Sequence, residues 1–300
     1  MTSRVEELKN NPKLKSFIKK YKLDDKTLED SYLVIKRFIE QFIKCNKPGP
    51  LEECKQLIKG IQLKLEYKNK QLYTVSENCV HWKYENTDYK IKENILFTEY
   101  DKFKITKKIS DYVSLNPEEY NPSINIFITA VQKIFVSDKS NVKGIYLYGE
   151  PGVGKTYMMK LIANSFANND QKVVVVTMNR LIKVVKETFN NYINNDYNKF
   201  LDLCTNVDVL ILDDIGSEPV TEWSRDELLF GLLNTRLENN KLTFFTSNLS
   251  LDDLKKYYTS TKNSSNNLTQ KIKSTRAKRI VERIKGLCDD ILVVGKNQRS

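Results

Sequence analysis

The chain has 300 residues, room for two domains of ordinary size, and its 40% hydrophobic and 10% aromatic content can build a core, which excludes wholesale disorder. Its 49 basic and 38 acidic residues leave a net charge of +11; that points to a polyanionic partner, although a Lys-, Asn- and Ile-rich composition accounts for the excess equally well. No run of about 18 apolar residues could span a membrane, Met1–Glu7 carries no signal-peptide core, and five cysteines are too few for a disulfide scaffold, so a reducing cytoplasm is the expected compartment.

Leu14, Phe17, Ile18 and Tyr21 predict a short helix. Leu28, Tyr32, Ile35, Ile39 and Phe42 recur at steps of four and three and predict a longer one, capped by Asp24 or Asp25 and ended by Asn46 and Pro48-Gly49-Pro50. These stripes are expected to pack on each other and on the following segment; a partner protein is the alternative cover. From Ile61 to Tyr67 apolar and polar residues alternate as in a strand with one wet face. Lys68-Asn69-Lys70 reads as a turn and Gln71–Val75 as the returning strand, which folds Cys79 and His81 back towards Cys54. Residues 83–122 are polar, with prolines at 117 and 122, and part of them reads as an interdomain connection.

From about residue 123 the pattern becomes alternating α/β. Ile145–Tyr148, Val173–Val176, Val207–Leu212, Leu242–Thr246 and Ile291–Val294 are short apolar runs separated by helical stretches, the signature of a parallel sheet covered by helices on both faces. Thr259–Gln270 is low in complexity and is expected to be a loop.

Gly149-Glu150-Pro151-Gly152-Val153-Gly154-Lys155-Thr156 fits G-x-x-x-x-G-K-[ST], with a strand before it and a helix opening at Tyr157. Glycines there let amide N–H groups converge on phosphate oxygens, and the helix start adds its positive end. Lys155 can reach the β- and γ-phosphates, and the Thr156 hydroxyl suits Mg²⁺. The run Val207–Leu212 ends in Asp213-Asp214; at the carboxyl end of a strand, Asp213 would hold Mg²⁺ and Asp214 would polarise the attacking water. Asn248, after Leu242–Ser247, can orient that water, or can simply open a turn. Together these describe an ATP-binding P-loop NTPase of the additional-strand type.

The blocks Gly144–Gly149, Leu212–Glu218, Trp223-Ser224-Arg225-Asp226, Thr243–Asn248 and Ala277–Ile284 closely resemble the DnaI family of primosomal helicase loaders, AAA+ proteins related to the DnaC loaders. The match runs in order over roughly residues 110–300. The resemblance implies an AAA+ ATPase core over 123–300, a linker over 101–122 and a small N-terminal α+β domain over 1–100, with helices to residue 44 and a zinc-binding segment at 45–82. It implies a protein that uses ATP to place the replicative hexameric helicase on single-stranded DNA during replication initiation or restart, alongside other primosome proteins and as a nucleotide-dependent homo-oligomer. Arg283 then resembles an arginine finger reaching a neighbouring subunit's γ-phosphate, Arg279 would support it, and Arg299 resembles the sensor arginine of loaders.

The family's N-terminal zinc site has four candidate ligands here, Cys45, Cys54, Cys79 and His81, the only histidine of the chain. Their spacing departs from the family pattern: Pro48 stands where a Cys-x-x-Cys pair would place its second cysteine. Tetrahedral Cys₃His zinc is the preferred reading, with buried free cysteines that bind nothing as the alternative. Two other functions compete with loading. One is an IstB-like transposition ATPase, against which the zinc segment and the Trp223–Asp226 block count. The other is a nucleotide-gated binding module that needs no hydrolysis.

Overall fold

The chain opens with helices α1 (Arg4–Asn10), α2 (Lys15–Tyr21), α3 (Asp25–Asp30) and α4 (Tyr32–Gln41) in a computed structural model that describes residues 4–101, 106–113, 122–137, 142–189, 196–260, 267–295 and 297. The carboxylate of Asp24 caps α3 by accepting from the Thr27 N–H at 2.9 Å. The stripe expected as one helix is broken at Ser31, whose backbone (φ −101°, ψ 11°) leaves the helical region. Lys13 closes the far end, its Nζ donating to the Ile39 and Phe42 carbonyls that α4 leaves without an intrahelical partner. Strands β1 (Ile61–Lys68) and β2 (Gln71–Asn78) pair antiparallel with Lys68 opposite Gln71. Asn69 (φ 53°) and Lys70 (φ 61°) form the two-residue turn whose twist matches the strands. Leu14, Leu28, Ile35 and Phe38 share one core with Leu65 and Leu72 of the hairpin, so the stripes cover each other and the hairpin as expected.

Two units make up the chain, Met1–Tyr89 and Lys90–Ser300. Helix α5 (Val80–Glu85) belongs to the first, and α6 (Tyr89–Asn94) leads into β3 (Ile95–Phe97). The second unit therefore begins well before the expected 123. Ile95 and Phe97 pair with a strand of its sheet, Asn94 Nδ2 donates to the Ala167 carbonyl and Lys90 meets Asp170 at 2.7 Å. Helix α7 (Ile109–Val113) likewise falls within the expected linker, its Ile109 N–H donating to Ser165 Oγ.

There follow α8 (Pro122–Val136), β4 (Gly144–Tyr148), α9 (Lys155–Asn168), β5 (Val173–Thr177), α10 (Met178–Phe189), α11 (Asp196–Asn206) and β6 (Val209–Asp213). A π-helical turn (Trp223–Leu229) runs into α12 (Phe230–Glu238), then come β7 (Leu242–Ser247), α13 (Leu251–Thr259), α14 (Asn267–Leu287) and β8 (Cys288–Leu292). The sheet order is β3-β5-β6-β7-β4-β8, every pair parallel. Strand residues alternate between its faces: Tyr146, Val176, Leu212 and Phe245 meet α10 to α14, while Leu147, Val175, Ile211 and Phe244 meet α8 and α9. This is the AAA+ ATPase architecture, with β7 inserted between β4 and β6. Two expectations shift: the last strand runs Cys288–Leu292 rather than 291–294, and the loop expected over 259–270 is flanked by α13 ending at Thr259 and α14 starting at Asn267, with 261–266 outside the described residues.

Candidate functional site

Register places the chemistry. Thr177 pairs with Asp213, and Thr246 stands one residue beyond the paired Leu212 and Phe245, so the three form a row at the carboxyl ends of β5, β6 and β7. Beside that row the chain leaves β4 through Gly149 (φ 150°), where a Cβ would lie 2.2 Å from the Val293 carbonyl oxygen; only glycine fits. Gly154 enters α9 in the left-handed region (φ 95°) and brings Lys155 in as the first helical residue.

Lys155 is buried, and its Nζ donates to the Gly149 and Glu150 carbonyls and to Asn248 Oδ1 at 2.8 to 2.9 Å. Three neutral acceptors can be exchanged for phosphate oxygens, which bind an ammonium more strongly. Thr156 Oγ1 lies 3.1 and 3.2 Å from the two oxygens of Asp213. Thr246 Oγ1 donates to Asp213 Oδ1 at 2.5 Å and accepts from the Asp214 N–H at 2.8 Å, joining the ends of β6 and β7. Burial pushes the Asp213 carboxyl up, against the hydrogen bonds from Thr246 and Thr156 that pull it down. A divalent cation would relieve that cost, and the donor set of one carboxylate and one hydroxyl fits a hard, oxygen-loving ion such as Mg²⁺. Asp214 turns away in a left-handed conformation (φ 57°) and lines the same recess of about 480 Å³ as Pro151, Gly152, Tyr157 and Asn248.

Lys155, Thr156, Asp213, Asp214 and Asn248 are thus brought together, and the arrangement can bind a triphosphate with its metal and hold a water beside it. Val153 lies instead in an apolar recess of about 160 Å³, which Tyr157 also lines together with Ile109, Ile124, Phe127 and Met158. This recess, and the parts of Lys160, Thr177 and Thr246 in the phosphate recess, escaped sequence reasoning. Thr246 alone carried a signal, as a hydroxyl at the end of an apolar strand.

Arg279 and Arg283 do not line the phosphate recess of their own chain. On α14 their guanidinium carbons lie 4.2 and 5.6 Å from the centroid of the Phe230 ring, and Arg283 Nε donates to Asn234 Oδ1 at 2.7 Å. Arg299 lies outside the described residues.

In the first unit, Cys45, Cys54, Cys79 and His81 converge, one ligand atom of each within 4.8 Å of all the others. Cys54 Sγ and Cys79 Sγ are 3.6 Å apart, and Cys45 Sγ lies 3.0 Å from His81 Nδ1. Tetrahedral zinc with bonds of about 2.3 Å to sulfur and 2.0 Å to nitrogen requires edges of roughly 3.5 to 3.8 Å; the Cys54–Cys79 pair meets that, the Cys45–His81 pair at 3.0 Å has to open to admit the ion, and three thiols with one imidazole are a donor set that suits zinc. The Cys54 thiol is pushed up by burial but held below the usual range by the Gly60 and Gln56 N–H groups; the Cys79 thiol is raised, burial first. Of that pair, Cys54 gives up its proton first.

The comparisons with known proteins agree with this geometry. Residues 120–266 match the family model of the bacterial DnaA ATPase domain. The chain is 28% identical over 279 residues to the replicative helicase loader DnaI of Bacillus subtilis, covering 92% of this chain and 85% of that loader. It is 29% identical over 115 residues to the loader DnaC of Buchnera aphidicola, where it spans 38% of this chain and 46% of the loader. A crystal structure of DnaI superposes with a TM-score of 0.53 at 28% identity, covering 70% of this chain and all of that one. These likenesses do not favour the transposition-ATPase alternative. Among the described residues no helix is long and apolar enough to cross a membrane. The chain is an AAA+ ATPase by fold, and its likeness is to the helicase loaders of the DnaI/DnaC family.

Proposed function

We propose that this protein is an ATP-dependent loader of the replicative hexameric helicase onto single-stranded DNA, acting in the cytoplasm with other primosome proteins. The observation that carries the reading is a likeness to a DnaI loader over 92% of the chain, supported by the gathering of Lys155, Thr156, Asp213, Asp214 and Asn248 around one recess at the strand ends. In this reading Lys155 leaves its three acceptors for the β- and γ-phosphates, and Thr156 and Asp213 hold Mg²⁺. Asp214 polarises the attacking water and Asn248 orients it. The apolar recess beside Tyr157 would take the base. Arg283, supported by Arg279, serves a neighbouring subunit's γ-phosphate, so the active form is a homo-oligomer; Arg299 contributes as a sensor. Hydrolysis is coupled to loading. The N-terminal unit docks on the helicase and is stabilised by zinc on Cys45, Cys54, Cys79 and His81.

Co-purification with the replicative helicase tests the docking, using the full chain and a chain lacking residues 1–89. Association is expected only with the former, and retained association after the deletion refutes the assignment. A calorimetric titration of folded full-length protein that shows no heat with ATP or ADP removes the nucleotide reading itself.

A further inference from the structure

The turn carrying Asp214 is held both by β7, whose Thr246 lines the phosphate recess, and by groups outside that recess. Asp214 and Gly216 both have left-handed backbones (φ 57° and 88°), and in a non-glycine residue such a conformation persists only where neighbours fix it. Part of the fixing comes from β7: the Ile215 N–H donates to the Thr246 carbonyl at 2.9 Å and Ser247 Oγ to the Ile215 carbonyl at 2.6 Å. Ser217 Oγ donates to the Asp214 carbonyl at 2.8 Å, and a further hold comes from Glu218, which is 1% exposed. Its Oε2 accepts from the Gly216 N–H at 2.7 Å, its Oε1 from the Tyr258 hydroxyl at 2.5 Å, and its carbonyl from the Tyr257 hydroxyl at 2.6 Å.

No lysine or arginine among the described residues pairs with this carboxylate, whose burial raises its pKa. A buried acid without a cation costs stability, which packing alone does not explain. The linkage continues past α13. The Tyr258 carbonyl accepts from Arg225 Nη1 at 3.0 Å, Arg225 forks onto Asp226 at 2.7 Å, and Asp226 Oδ2 accepts from Arg276 Nη1 at 2.9 Å. Arg276 stands on α14, one turn before Arg279.

We propose that Glu218 is a positioning residue for ATP hydrolysis: it fixes the Asp214 turn against α13 and, through Arg225 and Asp226, ties that turn to the arginine-bearing helix α14. The proposal rests on the role given to Asp214 above.

The test uses full-length Glu218→Ala, Glu218→Gln and Tyr258→Phe. A displaced Asp214 should lower kcat of Glu218→Ala by about 10- to 100-fold, while nucleotide Kd stays within about twofold because Lys155, Thr156 and Asp213 keep their contacts. In Glu218→Gln the amide oxygen can take the Gly216 N–H and the NH₂ can donate to the Tyr258 hydroxyl oxygen, which restores kcat to within about threefold of the parent. Glu218→Ala/Tyr258→Phe should be no slower than Glu218→Ala, since the two act as a unit. Kd lost in step with kcat, Gln no better than Ala, or additive effects would overturn the proposal. If Glu218→Ala does not fold, Tyr258→Phe decides, a loss of about fivefold in kcat at unchanged Kd being expected for one hydrogen bond and no loss refuting it. Hydrogen exchange at the Ile215 and Gly216 amides, measured without nucleotide, should quicken about tenfold in Glu218→Ala. That readout stands even if the parent shows no turnover, an outcome that would sink the role of Asp214, and unchanged exchange would sink Glu218.

Discussion

Zinc binding by the first unit should depend steeply on pH, with a slope fixed by the ligands. Three of the four are thiols, and zinc takes the thiolate, so binding displaces one proton from each thiol not yet ionised. Free thiols titrate near pH 8.5, and each proton released adds about 1.4 kcal/mol per pH unit, so the three thiols alone add about 4 kcal/mol, at least about a thousandfold in affinity between pH 6 and 7. Cys54, lowered by two amide N–H groups, ionises first and the raised Cys79 late. The slope should therefore relax below three as pH rises and the lowered Cys54 thiol ionises in the metal-free protein. Competition of the purified protein with a chromophoric chelator, at half-unit steps from pH 6 to 8, measures it. Protein as purified should hold about one zinc per chain, and its removal should melt the segment that carries the ligands, since metal-binding energy in such sites is folding energy. Less than about 0.2 zinc per chain in protein purified without chelator, or a slope of one or less, would refute the four-ligand site.

Three further outcomes follow from the second unit. Because burial raises the Asp213 carboxyl, its ionised form opposes folding above the raised pKa, and that penalty disappears as pH falls through it; Asp213→Asn should raise the thermal midpoint of ligand-free protein at neutral pH and abolish the Mg²⁺ dependence of ATP affinity, and a lowered midpoint would contradict the burial argument. Arg283→Ala should lower turnover by about a thousandfold with nucleotide affinity intact, while turnover per subunit of the parent should climb with protein concentration; turnover independent of concentration excludes a residue supplied in trans. Arg236 is fully buried, its guanidinium pushed down to about 10 by burial and still cationic at neutral pH, and it donates to Thr243 Oγ1 and to the Cys204, Thr205, Val207 and Leu242 carbonyls. Arg236→Met strands those acceptors and should cost about 3–5 kcal/mol in urea unfolding; a loss below about 1 kcal/mol would show that water or neighbours replace them.

The candidate phosphate site is legible because binding phosphate would impose its geometry on a single short segment. Turn, amides, ammonium and hydroxyl must follow one another within eight residues, and Gly149–Thr156 does so. Asp213 was legible for a related reason, as a charge ending an apolar strand. Contacts that arise only when distant segments meet were not. Ile95–Phe97 is three residues long, too short to show a period, and only its pairing with Val173 and Val174 makes it a strand. The apolar recess joins Ile109 and Ile124 to Tyr157 across gaps with no pattern of their own. The break at Ser31 is invisible to a stripe that continues in phase on either side of it, with Leu28 and Ile35 buried in the same core. The cysteine spacing looked irregular along the chain, yet the β1–β2 hairpin absorbs most of the 24 residues between Cys54 and Cys79 and returns them to contact.

Inserting β7 between β4 and β6 has a chemical consequence beyond strand order. It sets Asn248 against Lys155 and Thr246 against Asp213, so the buried lysine and the buried carboxylate each share a hydrogen bond with the same strand end. On the proposed reading, phosphate drawing Lys155 away would free Asn248 Oδ1, and a metal drawing on Asp213 would change the hold of Thr246, which also accepts from the Asp214 N–H. Both events reach the turn after β6 through one strand, and Glu218 closes that turn from its other side. On the proposed reading, nucleotide occupancy would act on Asp214 through the hydrogen bonds of Thr246, whose strand stays paired with β6 as far as Phe245.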